Sequence, residues 1–336
     1  MSKSLRATLA AVVAAAGLVA CTDGGSGDLV VYSGRNENLI RPVLERFAED
    51  TGVDIRVRYG DTAELAATIL EEGANTRADV FFSQDAGALA ALAAKGRLAK
   101  LPGDVAEPVD ARFRDPGGRW VGVTGRARVI AYNTNRVPAG ELPESIFELT
   151  DPKWRDRIGF PPTNASFVAY VSALTEQVGR DRTKAWLEGL EANGAKTFDN
   201  NIVTLEAVAD GEVDIGLVNH YYLYNEFEQR PGSPVANHYP GQEAGGEGTF
   251  VNVAGLGILE GTDRAADARR LVAYLLGRDA QEYFRTETAE YPLAAGVEPL
   301  PELPALAELR VIDVPLHRLG RDLEASLDLL KEVGLT

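Results

Sequence analysis

Residues 29–59 have the sequence LVVYSGRNENLIRPVLERFAEDTGVDIRVRY. The first four residues are apolar and typical of a buried strand, and apolar residues then recur at helical spacing from Leu39 to Phe47. Gly52 is a residue type that commonly ends a helix, and residues 53–59 alternate between apolar and polar side chains, as a second strand does. This order predicts a strand, a helix and a strand, which is typical of an α/β fold with mostly parallel sheets.

The same alternation continues along most of the chain. Residues 79–82 and 86–94 predict a further strand and helix, and a second α/β region begins near residue 158. Between these regions, residues 121–125 and 129–132 are two extended runs with no helix between them, which indicates a crossing strand. Later helices are predicted near 165, at 183–192, 203–209 and 265–276, and from 280 and 320, with extended segments at 213–218 and 249–259.

Composition excludes several classes of protein. The chain has 336 residues, of which 45% are hydrophobic and 25% charged, so it can bury a large core divided between two lobes. Its formal charge of -16 makes a nucleic-acid backbone an unsuitable partner, because phosphates require local positive charge. One cysteine and three histidines exclude a disulfide scaffold and an ordinary Cys/His zinc cluster.

The N-terminus has the features of an export signal. Lys3 and Arg6 precede an apolar run over residues 7–20, so residues 1–20 predict a cleaved signal peptide. Residues 18–21, LVAC, are similar to the lipobox of bacterial lipoproteins, which implies lipidation of Cys21. The alternative is a free or buried cysteine that follows a signal peptide. Residues 21–28 are small and polar, as expected of a flexible tether between a lipid anchor and a folded body.

The most informative candidate site is NHYYLY at residues 219–224, directly after the strand that ends at Val218. Ligands of open α/β sheets bind beyond the carboxyl ends of strands. At such an irregular junction the neighbouring side chains of Tyr221 and Tyr222 could both turn into a cleft. The alternative is aromatic packing with solvated hydroxyl tips. The chain contains no G-x-S-x-G, P-loop or H-E-x-x-H motif, which argues against the enzyme classes that those motifs mark.

Several stretches together resemble one family. They are VYSGR (31–35), ADVF (78–81), GRARVIAYNT (125–134), LTDPKW (149–154), DGEVD (210–214) and NHYY (219–222). From residue 29 to about 300 the chain resembles the ferric-ion-binding proteins of bacterial ABC importers, a branch of the periplasmic binding proteins. This implies a two-lobed type II α/β fold with mixed, mostly parallel sheets, crossing strands and a hinge. We expect an N-terminal lobe of residues 29–125 and 250–300, and a C-terminal lobe of residues 126–249 and 301–336.

The resemblance also implies a metal site. In this family the tandem tyrosines bind the iron, so Tyr221 and Tyr222 take that role here. Ferric ion is small and hard, favours anionic oxygen donors and can displace the proton of a phenol. Carbonate, phosphate or another anion completes the iron shell in relatives, and Arg126 matches the arginine that holds it. The alternative for Arg126 is an ion pair in the cleft wall.

Further polar residues match positions near the bound anion. Asn201 and Asn219 are two of them, and Asn164 and Ser166 lie at a helix start, where free backbone N–H groups favour a negative ligand. Helix capping alone would equally explain Asn164 and Ser166.

The chain also departs from the family pattern. Asn36 and Ala63 stand where one branch has a histidine and a glutamate, and Phe167 stands where another branch has a third tyrosine. Glu37 replaces a tyrosine beside the first of these positions, and it is therefore a candidate carboxylate ligand, or alternatively an exposed acid near the start of a helix. We expect His220 to face the lobe surface rather than to bind metal.

These expectations combine into one function. The resemblance implies a lipid-anchored, extracytoplasmic, monomeric binding protein that captures ferric iron and delivers it to an inner-membrane ABC permease and its ATPase. It is not expected to be an enzyme, because no nucleophile and base can be paired. The alternative is the same scaffold with an organic cargo such as a phosphonate, sugar phosphate, thiamine or polyamine.

Overall fold

A computed structural model describes residues 27–225, 232–294, 296–321 and 323–336. The predicted signal peptide, Cys21 and most of the tether lie outside these residues. The strands are β1 (Leu29–Ser33), β2 (Ile55–Tyr59), β3 (Val80–Ser83), β4 (Val121–Asn133), β5 (Ile158–Phe160), β6 (Lys196–Thr197), β7 (Ile215–Asn219), β8 (Val235–His238), β9 (Val251–Ile258) and β10 (Tyr291–Pro292). The helices are α1 (Glu37–Thr51), α2 (Thr62–Glu72), α3 (Ala86–Ala94), α4 (Gly103–Ala106), α5 (Ala165–Val178), α6 (Arg180–Ala192), α7 (Asn201–Ala209), α8 (Tyr222–Asn225), α9 (Ala265–Leu275), α10 (Arg278–Glu287) and α11 (Leu323–Glu332).

The first strand, helix and strand form as the sequence predicts. β1 pairs in parallel with β2 and with β3. The Asn36 side chain caps α1 by accepting a hydrogen bond from the N–H of Asn38 at 3.0 Å. The helix buries its apolar face and ends at Gly52, whose φ of 69° suits glycine. The signals that predicted these elements are local ones, and the structure confirms them.

β4 is one continuous strand of 13 residues, where the sequence suggested two shorter runs. Residues 121–127 of β4 pair with β9, and residues 128–132 pair with β7. The sheet order is β2-β1-β3-β9-β4-β7-β5-β6, with β8 and β10 also on β4, so β4 carries the sheet from one half to the other. Arg126 and Arg128 interrupt the apolar pattern but are buried within the strand, which is why its continuity was missed.

The two halves of the sheet each carry their own helices. We call β1, β2, β3, β9 and β10, with α1, α2, α3, α9 and α10, the first lobe; β5 to β8, with α5, α6 and α7, form the second lobe. α11 packs on α5. The mixed sheet and its helices confirm the α/β class, whereas the exact lobe boundaries stay a prediction. In the described part of the chain, no helix is both long enough and apolar enough to span a membrane.

Candidate metal centre

The tandem tyrosines lie at the end of β7, where the backbone turns into α8. The ring centroids of Tyr221 and Tyr222 are 4.2 Å apart, with the planes inclined at 31°. Tyr221 is only 2% exposed, and Tyr222 is half-buried. Among the described residues, neither phenol hydroxyl has a hydrogen-bond partner. Two phenol oxygens with uncommitted lone pairs are thus held on one turn of the chain.

Burial and the neighbouring Tyr222 hold the pKa of Tyr221 well above its ordinary value. The positive charges of Arg126 and Arg35 act in the opposite direction. Tyr221 is consequently a neutral phenol at physiological pH. A cation that displaced this proton would leave a phenolate, which the nearby arginines would favour.

Arg126 is buried, and its hydrogen-bonding capacity is unused. Its Nε lies 3.8 Å from Oε1 of Glu290, and both side chains are almost fully buried. Within the described part of the chain, none of the three guanidinium nitrogens of Arg126 has a hydrogen-bond partner. Buried donors of this kind are rare in proteins unless a ligand or water satisfies them. The predicted ion pair is therefore present, but it leaves the guanidinium able to hold an anion.

A second buried arginine contacts the same carboxylate. Nη2 of Arg35 donates a hydrogen bond to Oε2 of Glu290 at 2.7 Å. Burial opposes the charge of Arg35, but Glu290 and the two tyrosines raise its pKa above the ordinary value. Neither Arg35 nor Glu290 was predicted as a site residue, although Arg35 directly follows Gly34 in the first motif.

The four predicted anion-binding residues of the second lobe lie in one hydrogen-bond network around Arg128. Nη1 of Arg128 donates to Oδ1 of Asn201 at 3.0 Å and to Oδ1 of Asn219 at 3.4 Å. Asn201 donates to Oδ1 of Asn164 at 3.1 Å, and Asn219 donates to Oγ of Ser166 at 3.3 Å. Arg126 and Arg128 lie two apart on β4 and so point to the same face of the sheet, a signal that could have identified Arg128.

Asn164 also caps a helix, as one of the two interpretations expected. Its Oδ1 accepts a hydrogen bond from the N–H of Ser166 at 3.1 Å, in the first turn of α5. The same residue lines a cavity of about 390 Å³ between the lobes. Among the residues lining this cavity are Gly34, Arg35 and Asp61 of the first lobe and Thr163, Asn164 and Asp199 on the side of the second.

Glu37 lies in the first turn of α1 and is half-buried. Like Tyr221, Tyr222 and Arg126, it is not among the residues that line this cavity. Its carboxylate forms an ion pair with Arg41, one turn further along the helix. The structure therefore does not bring Glu37 into the network of buried arginines.

Phe167, at the position of a third tyrosine in some relatives, is fully buried and packs against Phe160 and Trp186.

The expectation that His220 faces the surface is wrong. The residue is fully buried, its Nδ1 accepts a hydrogen bond from the N–H of Ala127 at 3.1 Å, and its Nε2 lies 3.0 Å from the carbonyl oxygen of Ala289. Because Nδ1 is the acceptor, Nε2 carries the proton and donates. Burial lowers the pKa of His220 to about 3, so the ring is neutral at physiological pH. It joins β4 to the segment after α10, an arrangement that no local pattern reveals.

Any metal-binding capacity of this site would come from its phenols. No group of three or more His, Cys, Asp or Glu side chains suited to a metal ion occurs among the residues that the structure describes. Paired phenol oxygens beside buried arginines suit a hard cation bound together with an anion.

Comparison with known proteins gives a consistent result. Residues 75–314 match the family described as bacterial extracellular solute-binding protein. The chain is 30% identical to the Fe(3+)-binding periplasmic protein of Serratia marcescens over 312 residues, which cover 91% of this chain and 90% of that protein.

Solved structures extend the likeness to the whole fold. The iron-bound HitA of Pseudomonas aeruginosa has a TM-score of 0.85 and 33% identity, covering 92% of this chain and 99% of that one. A Trichodesmium protein in complex with iron and citrate ligands has a TM-score of 0.80 and 29% identity, covering 92% and 100% of the two chains. These relatives are solute-binding transport proteins, not enzymes. The chain belongs to the family of bacterial extracellular solute-binding proteins and has their two-lobed fold.

Proposed function

We propose that the protein captures ferric iron between its two lobes with Tyr221 and Tyr222, and delivers it to an ABC permease and its ATPase. The observation that carries this proposal is the pair of adjacent phenols beside buried arginines. The relatives from Serratia marcescens and Pseudomonas aeruginosa, which are iron-binding by name, support the same cargo.

The charges around the tyrosines support an accompanying anion. Fe³⁺ with two phenolates retains one positive charge, and Arg35, Arg126 and Arg128 are all buried close by. These three arginines outnumber the two buried acids close to them, Glu290 and Asp85. We assign Arg126 to an anion such as carbonate or phosphate, because its donors are unpartnered. The iron and citrate ligands of the Trichodesmium relative support an oxygen-rich anion at such a site.

The polar network positions this anion in our proposal. Asn164, Ser166, Asn201 and Asn219 supply amide, hydroxyl and backbone groups, and Arg128 orders them. Glu37 has a weaker claim as a ligand, since its carboxylate is already paired with Arg41. Substituting Arg126 by Gln should make iron binding weaker and insensitive to added phosphate or carbonate.

In our proposal, the two lobes close around the bound ligand before it is delivered. Contacts from both lobes to the metal and anion exist together only when the lobes are closed, so the cargo shifts the population toward that state. The predicted lipid anchor at Cys21 would keep a monomeric carrier near the permease outside the cytoplasm, with residues 21–28 as its tether.

An organic cargo remains the second candidate, favoured by Asn36 and Ala63 at positions where iron-binding relatives have ligands. Thiamine and polyamines are cations, and the buried arginines disfavour them. A phosphonate or sugar phosphate suits the positive charge of the buried arginines, one of which, Arg35, lines the cavity of about 390 Å³.

Equilibrium dialysis distinguishes the two candidates. The purified, iron-free protein is dialysed at neutral pH against ferric citrate, and separately against methylphosphonate. We expect one retained iron per chain, lost when Tyr221 and Tyr222 are both replaced by Phe. Retention of the phosphonate without retention of iron would establish the organic cargo instead.

A further inference from the structure

Two side chains beside the tandem tyrosines are bonded to the first lobe. We call residues 220–225 the tyrosine turn. Nδ2 of Asn225 donates a hydrogen bond to the carbonyl oxygen of Thr288 at 2.7 Å, and Nε2 of His220 donates to that of Ala289 at 3.0 Å. These consecutive carbonyls belong to the segment that follows α10. The turn therefore continues a strand of the second lobe but is fastened to the end of a first-lobe helix.

Asn225 is also bonded to Tyr221 itself. The carbonyl oxygen of Tyr221 accepts hydrogen bonds from the N–H of Asn225 at 3.1 Å and from the N–H of Tyr224 at 3.0 Å. The backbone and side chain of Asn225 thus connect Tyr221 to Thr288. A displacement of Asn225 would move the backbone of a residue that carries one of the two phenols.

The segment that accepts these bonds is held firmly. Oγ1 of Thr288 donates to the carbonyl oxygen of Phe284 at 2.7 Å, and the N–H of Glu290 donates to the same oxygen at 3.2 Å. Both Thr288 and Ala289 are buried. Ala289 has a φ of 51°, which a residue other than glycine retains only where its surroundings enforce it. The segment is therefore a fixed support for the tyrosine turn.

The turn and its support meet at the strand that the two lobes share. The N–H of His220 donates to the carbonyl oxygen of Ala127 at 3.0 Å, and Ala127 is the last residue of β4 that pairs with β9. α10 is joined to the same strand, because Nε2 of Gln281 donates to the carbonyl oxygen of Val123 at 3.0 Å. The tyrosine turn is thus braced where β4 passes from one lobe to the other.

We propose that Asn225 is a positioning residue of the metal site. Its bond to Thr288, together with the bond from His220 to Ala289, holds the tyrosine turn in the geometry that presents both phenols to one metal ion. The turn is then ordered before iron binds, so binding does not bear the entropic cost of ordering it. The inference rests on the proposed function and adds to it a residue that acts through Tyr221 and contacts no metal itself.

The test is Asn225→Leu, which keeps a side chain of similar shape and removes the donor to Thr288. Competition with citrate should show an iron dissociation constant about 10- to 100-fold above that of the wild type, the loss typical of residues that orient metal ligands. The visible phenolate-to-ferric charge-transfer band, measured per bound iron, should also shift or weaken because the phenolate geometry changes. Wild-type affinity with an unchanged band would overturn the inference.

Asn193→Leu is the matched control. Asn193 is a buried residue directly after α6, and its Nδ2 donates to the carbonyl oxygens of Leu149 at 3.0 Å and Asp151 at 2.8 Å. Its substitution should lower the free energy of unfolding at least as much as Asn225→Leu, but leave the iron affinity and the band unchanged. Equal losses of iron affinity in the two variants would reduce the effect to general destabilisation and would also overturn the inference.

Hydrogen exchange of the iron-free protein separates this inference from the proposed function. The amides of Tyr224 and Asn225 should exchange at least about tenfold faster in Asn225→Leu than in the wild type. Unchanged exchange would overturn the inference, whereas a wild type that binds no iron would contradict the proposed function. If Asn225→Leu does not fold, Asn225→Ser replaces it, since the shorter side chain does not reach Thr288.

Discussion

The rings of Tyr221 and Tyr222 lie 4.2 Å apart, although the two residues are consecutive in the chain. Consecutive side chains of a strand point to opposite faces of the sheet. These two avoid that separation because β7 ends at Asn219 and α8 begins at Tyr222. The change from strand to helix is what brings the two phenol rings together.

Replacing Tyr222 alone by Phe should lower the affinity for ferric iron by more than about 100-fold. Mutating a residue that only hydrogen-bonds to a metal ligand already lowers metal affinity by about 10- to 100-fold, and loss of a ligand itself should have a larger effect. The ring contact with Tyr221 is retained, so the melting temperature should stay close to that of the wild type. Competition with citrate measures the affinity. Tyr224→Phe is the control, since Tyr224 is a half-buried tyrosine of the same short helix, and it should bind iron normally. Equal affinities of the Tyr222 variant and this control would remove Tyr222 from the ligand set.

Iron binding should release protons and strengthen as the pH rises. The pKa of Tyr221 lies above its ordinary value, so the free protein holds the phenol proton at neutral pH and the iron complex does not. Lower pH therefore favours the iron-free state, and at least the proton of Tyr221 should leave when iron binds. Base consumption in unbuffered solution measures this release. The Tyr221/Tyr222 double Phe variant gives the blank for hydrolysis of the iron salt, and a wild-type release no greater than this blank would contradict the prediction.

His220→Phe should destabilise the fold by about 2–4 kcal/mol, because it leaves the buried N–H of Ala127 and the carbonyl of Ala289 without partners. Urea unfolding measures the loss. His238→Phe is the comparison, since that histidine is half-buried and makes one hydrogen bond, with the carbonyl oxygen of Pro143 at 2.8 Å. If both variants lose the same small amount of stability, His220 does not join the segments as described.

Gly34→Ala should disturb the first-lobe side of the cavity, whereas Gly60→Ala should be tolerated. A Cβ at Gly34 would lie 1.9 Å from Oγ1 and 2.8 Å from Cα of Thr62, so backbone must move. A Cβ at Gly60 would meet only the Leu65 side chain, at 3.3 Å. We expect a loss of about 1–3 kcal/mol for the first variant, measured by chemical unfolding. Equal stabilities of the two variants would argue against the close approach of Gly34 and Thr62.

Local patterns predicted the elements well because helices and strands are encoded by neighbouring residues. The apolar spacing of α1, its end at Gly52 and the tyrosines after β7 all follow from short stretches of sequence. The family resemblance supplied the two-lobed fold, which the comparisons with known proteins confirm.

The parts that were missed depend on contacts between distant residues. Arg35 and Glu290 are 255 positions apart, and no spacing rule joins them. His220 is buried by β4 and by the segment after α10, so its neighbours in sequence do not reveal its environment. The continuity of β4 was hidden because buried arginines interrupt an apolar pattern.

The most direct test of the central claim is a visible absorption spectrum of the purified protein during titration with ferric nitrilotriacetate at neutral pH. Phenolate-to-ferric charge transfer should produce a saturable band at about 400–500 nm, which reaches its plateau at one iron per chain. The same titration of the Tyr221/Tyr222 double Phe variant should give no band. A wild type that stays colourless at stoichiometric iron, or a double variant that keeps the band, would contradict the assignment of Tyr221 and Tyr222 as ferric ligands.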